Sequence, residues 1–159
     1  MILKEIPVES VEEAIKATQL GADRIELCEN LAVGGTTPSY GTIKICRKKI
    51  DLPVMVMIRP RGGNFVYSDT ELEVMREDIK MCKKAGVDGV VFGVLDEDSN
   101  VNFEVMESLT QLASPLEVTM HKAIDECNDP FGSIVPLHQL GVNNILTSGK
   151  AVTALEGKD

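Results

Sequence analysis

The sequence is short of the residues that build the commonest metal centres and cross-links. Its 159 residues include only two histidines, His121 and His138, which excludes a site made from several histidines. Four cysteines stand at positions 28, 46, 82 and 127, and none forms a C-x-x-C pair. This spacing fits free thiols in a reducing compartment, not a disulfide frame. No apolar stretch is long enough to cross a bilayer, and the opening Met-Ile-Leu-Lys-Glu lacks the apolar run of a signal peptide. A cytoplasmic location is therefore expected. Basic residues are few: 16 Lys and Arg against 25 Asp and Glu leave a net charge of −9. So acidic a chain is a poor partner for nucleic acid or for an anionic membrane.

What is present suits one packed domain over residues 1–159. Hydrophobic residues make up 43% and charged residues 26%, enough for a core and too apolar for disorder. Short β-rich runs alternate with helical periodicity, the pattern of a parallel sheet. The runs are Ile2–Ile6, Arg24–Cys28, Val54–Arg59, Gly89–Leu95, Leu116–His121 and Asn144–Ser148. Between them, Ser10-x-x-Glu13 and Ser68-x-x-Glu71 have the spacing of capping boxes. Gly21, Gly86 and Gly141 stand where a helix should end before the next strand. Leu72, Met75, Ile79 and Cys82 recur at helical spacing and should form one buried face. Asp129-Pro130 reads as a cap with proline in the first turn, and Pro136 should bend the helix that follows.

GADRIEL at 21, GVDGVVF at 86 and GVNNILT at 141 repeat one layout: glycine, turn, strand. Units of roughly 30 residues are those of a (β/α)8 barrel of TIM type. Charged residues end odd and even strands alike, which favours a ring over an open flavodoxin-like sheet. Six βα units are legible where a closed barrel needs eight, so the expected fold is an incomplete barrel. Its two unpaired edges suggest either a truncated chain or a homo-oligomer in which another copy covers them.

In such barrels chemistry sits at the C-terminal strand ends. Reading those ends collects Glu5, Glu26 with Cys28, Arg59 with Arg61, His121 with Asp125, and Thr147 with Ser148. Two carboxylates, two guanidiniums and an imidazole around one mouth suit acid–base work on a small anionic ligand. Arg59 and Arg61 would grip the anion, while Glu5, Glu26, His121 or Asp125 would move or position a proton. A structural ion-pair network is the competing reading. The glycine loops Leu31–Thr37 and Arg59–Gly63 are either anion-binding turns or plain tight turns. Cys28 is a candidate nucleophile or soft-metal ligand, although a lone cysteine is more often a small buried hydrophobe. Cys46 and Cys82 read as core, Cys127 as able to reach the mouth, and His138 as a surface residue.

The motifs DRIELC (23–28), GGTTPS (34–39), VMIRPRGG (56–63), FVYSD (65–69), GVVFG (89–93), LTSG (146–149) and ALEG (154–157) occur in this order. Together they resemble the CutC family, named for copper homeostasis, over essentially the whole chain. The resemblance implies a cytosolic, oligomeric (β/α)8-like barrel linked to Cu(I). It implies a copper-binding cysteine at the end of strand two, matched by Cys28, and another at the end of strand one, a position read here as Ile6. Met57, His121 and Cys127 are possible helpers. The family's His-Arg-Ala-Phe-Asp run stands here as His121-Lys-Ala-Ile-Asp125, which keeps the histidine and aspartate and loses the guanidinium. The two expectations to be tested are thus a copper homeostasis protein with possible Cu(I) binding and a barrel enzyme on a small anionic metabolite.

Overall fold

A computed structural model describes residues 2–158. Six strands run in chain order: β1 (Glu5–Val8), β2 (Arg24–Leu27), β3 (Val54–Met57), β4 (Gly89–Phe92), β5 (Glu117–Met120) and β6 (Asn144–Ile145). All pair in parallel with their sequence neighbours in the order β1-β2-β3-β4-β5-β6. This consecutive order excludes the flavodoxin-like alternative, whose sheet reverses direction at a switch point. The six helices are α1 (Val11–Gln19), α2 (Tyr40–Lys49), α3 (Asp69–Ala85), α4 (Phe103–Ala113), α5 (Ala123–Glu126) and α6 (Pro130–Gln139).

The sheet is curled. A guanidinium nitrogen of Arg24 on β2 lies 3.6 Å from a carboxylate oxygen of Glu117 on β5. In a flat sheet those strands would be separated by three steps, or ~14 Å. Only a concave face brings the two side chains together. The arrangement is that of an incomplete (β/α)8 barrel.

Strand alternation then sorts side chains between two environments. Ile25, Leu27, Val56, Ile58, Val90, Phe92, Val118 and Met120 are buried in the main core with Ile43, Met75, Ile79, Met106, Leu109 and Leu137 of the helices. Cys28, Met55, Met57 and Val91 form a separate small cluster on the concave side. The layered core follows from sequence: the central strands are apolar on both faces because both are covered.

Helix ends obey local chemistry. Ser68 accepts from the Glu71 N–H at 3.3 Å, and Glu71 accepts from the Ser68 N–H at 2.8 Å. Ser10 caps α1 through the Glu13 N–H, but the Glu13 carboxylate reaches the Glu9 N–H instead of closing the box. Gly21, Gly86 and Gly141 all have positive φ, as helix-ending glycines should. Leu72, Met75, Ile79 and Cys82 are the buried face of α3. Ser68→Ala should cost about 1 kcal/mol of stability in urea unfolding, since it leaves an α3 N–H without its partner. No loss would mean that water replaces the hydroxyl.

Strand boundaries differ from the sequence expectation. β1 spans Glu5–Val8, later than Ile2–Ile6, and β6 is only two residues long. Pro136 lies inside α6 as expected. Among the described residues no helix is long and apolar enough to cross a membrane.

Candidate functional site

The floor of the concave face is an ion-pair cluster. Arg24 pairs with Glu5 and with Glu117. Glu5 therefore opens β1 at the N-terminal end of the sheet. It does not close the strand at the mouth, and the mouth-side carboxylate after β1 is Glu9. Above the floor, space is tight. A Cβ on Gly89 would fall 2.1 Å from the Met55 methyl, and one on Gly93 would fall 2.8 Å from Nδ1 of His121. Glycine at these two positions, the first of β4 and the residue just after the strand, leaves room for side chains from the neighbouring segments.

At the C-terminal end a cavity of about 850 Å³ opens, lined by Glu26, Cys28, Met57, Arg59, Phe65, His121, Asp125 and Ser148 among others. Arg59 is 4% exposed. It donates through Nη1 to the carbonyls of Val33 (2.8 Å) and Gly35 (3.0 Å) and through Nη2 to that of Gly63 (2.7 Å). Its Nε has no partner, and among the described residues no carboxylate pairs with it. The two glycine loops thus turn their carbonyls toward a cation. The first of them is not a nest of free N–H groups: the Gly34 and Gly35 N–H groups are spent on Leu31 and Asn30. The Phe65 ring centroid lies 4.8 Å from the Arg59 guanidinium carbon and 4.8 Å from the His121 ring centroid.

His121 is buried, and its Nδ1 accepts from the Ala123 N–H at 3.2 Å. The ring proton therefore sits on Nε2, which is buried and unpartnered. Burial first, and then the Arg59 charge, push its pKa down to about 3, so the imidazole is neutral. Glu26 shows the opposite shift. Burial, then the Glu5 carboxylate, raise it to about 7 against the opposing pull of Arg24, and Oε1 is also without a partner. Two groups lining one cavity whose buried surroundings disfavour their charged forms are the feature that sequence reading could not supply.

The remaining expected residues divide. Arg61 turns away: it pairs with Glu71 at 2.5 Å, donates to the carbonyls of Gly62, Asn64 and Val66, and covers the Tyr67 ring. Its donors are spent on its own loop, which corrects the expectation of a paired anion grip. Asp125, Thr147 and Ser148 do meet. The Asp125 carboxylate accepts from the Thr147 hydroxyl, from the Ser148 N–H (2.8 Å) and hydroxyl (3.1 Å), and from the Lys150 N–H (3.1 Å). Burial pushes the Asp125 pKa up, but these bonds outweigh it and hold the group below its ordinary value. Asp125 thus anchors the loop after β6, and its lone pairs are occupied.

Cys28 lines the cavity, and its thiol lies far above the ordinary range, first from burial and then from the Glu26, Glu9 and Glu5 carboxylates. This argues against an activated nucleophile. Its sulfur and the Met57 methyl converge on Gly35, 3.4 and 3.3 Å from where a Cβ would be. Ile6 cannot join them. It aligns with Ile25, on the face opposite Pro7 and Glu26. The β1 position sharing a face with Glu26 and Cys28 is Pro7, which offers no donor. Cys127 is packed in the main core, not at the mouth, and His138 is on the surface. All four cysteines are free and buried. Among the described residues no group of three His, Cys, Asp or Glu side chains is placed to hold a metal. Phe65 and Glu9 were missed; only their closeness in sequence to the strand ends hints at them.

The geometry can be set beside known proteins. The chain is 50% identical over 155 residues to the human and mouse proteins called copper homeostasis protein cutC homolog. That stretch is 98% of this chain and 57% of each relative, so the chain spans little over half of their length. A crystal structure of CutC from Streptococcus agalactiae superposes with a TM-score of 0.93 at 39% identity, covering 99% of this chain and 78% of that one. Phosphoenolpyruvate phosphomutase from Streptomyces platensis matches at TM-score 0.66 and 11% identity, covering 99% of this chain and 64% of the other, a likeness of fold alone. With the CutC family model also matching residues 2–159, the chain belongs to the CutC family.

Proposed function

We propose that this chain serves copper homeostasis, as its CutC relatives are named for, by taking Cu(I) as cargo on the Cys28 sulfur with the Met57 thioether beside it. The observation that carries the reading is the convergence of these two sulfur side chains on Gly35. Thiolate and thioether are the donors that Cu(I) prefers. His121 is no helper in this tautomer, because Nε2 carries the proton and Nδ1 is engaged. The Cys28 thiol must lose its proton to bind, against burial and three carboxylates. Binding should therefore strengthen as pH rises. The setting we propose is a cytoplasmic homo-oligomer: free thiols suit a reducing compartment, and an oligomer is what the family resemblance implies.

Cu(I) titration of the reduced protein against a competing chelator tests this. One-to-one binding is expected in the wild type, with loss of at least tenfold in Cys28→Ser and a smaller loss in Met57→Leu. Equal binding by wild type and Cys28→Ser would sink the reading.

A second reading rests on a different observation. Among the described residues Arg59 is a buried cation without a carboxylate, and its Nε has no partner. Burying a charge is costly unless something compensates it. This supports a barrel enzyme that binds a small anionic metabolite at the mouth, with Arg59 as its electrostatic anchor and His121 and Glu26 beside it.

A further inference from the structure

We infer that the mouth selects a small monocarboxylate bearing a hydroxyl group next to the carboxylate. The inference rests on the second reading above and names its ligand class.

Three residues that line the cavity each carry a buried polar atom without a partner: Nε of Arg59, Nε2 of His121 and Oε1 of Glu26. Their residues are 4%, 4% and 5% exposed, so bulk water does not satisfy them. Buried polar groups in folded proteins are nearly always paired, and three orphans sharing one cavity point to a ligand that pairs them. Their polarity defines what fits. Arg59 Nε–H and His121 Nε2–H are both donors, and both side chains pack on Phe65. A carboxylate supplies the two acceptors they require. Glu26 Oε1 then needs a hydrogen-bonding group on the same molecule, which a hydroxyl provides.

The charge count favours one negative charge over two. Three of the five N–H groups of Arg59 are committed to carbonyls, leaving Nε–H and one Nη2–H on a single positive charge. His121 contributes a donor but no charge. The Asp125 carboxylate also lines the cavity. A dianionic phosphate would meet one buried cation and an opposing carboxylate, whereas a monocarboxylate meets one cation and two matched donors.

The probes are glycolate, lactate and glycerate, with propionate and inorganic phosphate as comparisons. Each is titrated calorimetrically into the wild type, Glu26→Leu and His121→Phe, and the thermal midpoint of each apo variant is recorded. At least one hydroxy acid should bind the wild type about tenfold or more tightly than propionate, because propionate leaves Glu26 unpaired. Glu26→Leu should erase that advantage without weakening propionate. His121→Phe should weaken both. If either variant fails to fold, the wild-type preference between hydroxy acid and propionate still decides. Hydroxy acids binding no better than propionate, or phosphate binding tightest, would overturn the ligand class while leaving an anion site in place. Failure of every anion to bind would remove the anion reading as well.

Discussion

Acidifying the wild-type protein from pH 6.5 to 4.5 should change its unfolding free energy little, because two buried groups act in opposite directions. Glu26 has a folded pKa of about 7 against an ordinary 4.5. The folded state holds a proton that the unfolded chain releases, so this contribution is complete below 4.5 and is lost as pH rises through 7. His121 has a folded pKa of about 3 against 6.5. Here the unfolded chain takes up the proton, so the contribution is complete above 6.5 and is lost as pH falls through 3. Between 4.5 and 6.5 the two slopes oppose each other, each approaching about 1.4 kcal/mol per pH unit. Below 4.5 only the histidine slope remains, and stability should drop. Burial is the main cause of both shifts; Glu5 adds to that of Glu26 and Arg24 opposes it, while Arg59 adds to that of His121.

Single variants should uncouple the pair. Glu26→Gln should lose about 2 kcal/mol as pH falls from 6.5 to 4.5, and His121→Phe should gain slightly more from 7 to 4.5. Urea unfolding at half-unit pH steps reads both directly. A Glu26→Gln profile as flat as that of the wild type would show that His121 is not held neutral in the folded protein.

Arg59→Met should destabilise the fold by about 4 kcal/mol, the second large effect. Hydrogen bonds to charged groups contribute about 1.5–3 kcal/mol each, and this guanidinium makes three to loop carbonyls. Those carbonyls belong to the loop after β2 and the loop after β3, so one side chain staples two segments. Removing a buried charge that lacks a carboxylate returns part of the loss, which keeps the figure below the simple sum. Arg59→Lys should recover only a fraction, since a point ammonium cannot span the same fork or cover Phe65. Equilibrium unfolding of the three proteins is the measurement. A loss under about 1 kcal/mol in Arg59→Met would mean the loops hold without the staple.

Some expectations depended only on neighbours in the chain, and these were readable. The Ser68–Glu71 box, the Leu72–Met75–Ile79–Cys82 face and the glycines after α1, α3 and α6 need nothing beyond helix geometry. The first strand was harder. It was expected over Ile2–Ile6, whereas β1 spans Glu5–Val8 with Pro7 inside it. β1 bonds to β2 alone among the described strands, and an edge strand tolerates a proline. That shift moved Glu5 from the mouth to the floor.

Arg59 and Arg61 stand two residues apart in one loop, and nothing local separates them. Yet one enters the cavity and the other folds back onto Glu71 and Tyr67. Asp125 was readable as polar and near a strand end, but not as the acceptor that organises the loop after β6.

By itself, the sequence determined the βα alternation, the apolar faces, the caps and the family motifs, because each rests on periodicity or contiguous residues. Only the tertiary structure decided that β2 meets β5 across a concave face, that Cys28 faces Met57 and not Ile6, and that burial holds His121 neutral and raises the Glu26 pKa. Curl, register and burial are sums over distant contacts, and no stretch of chain carries them alone.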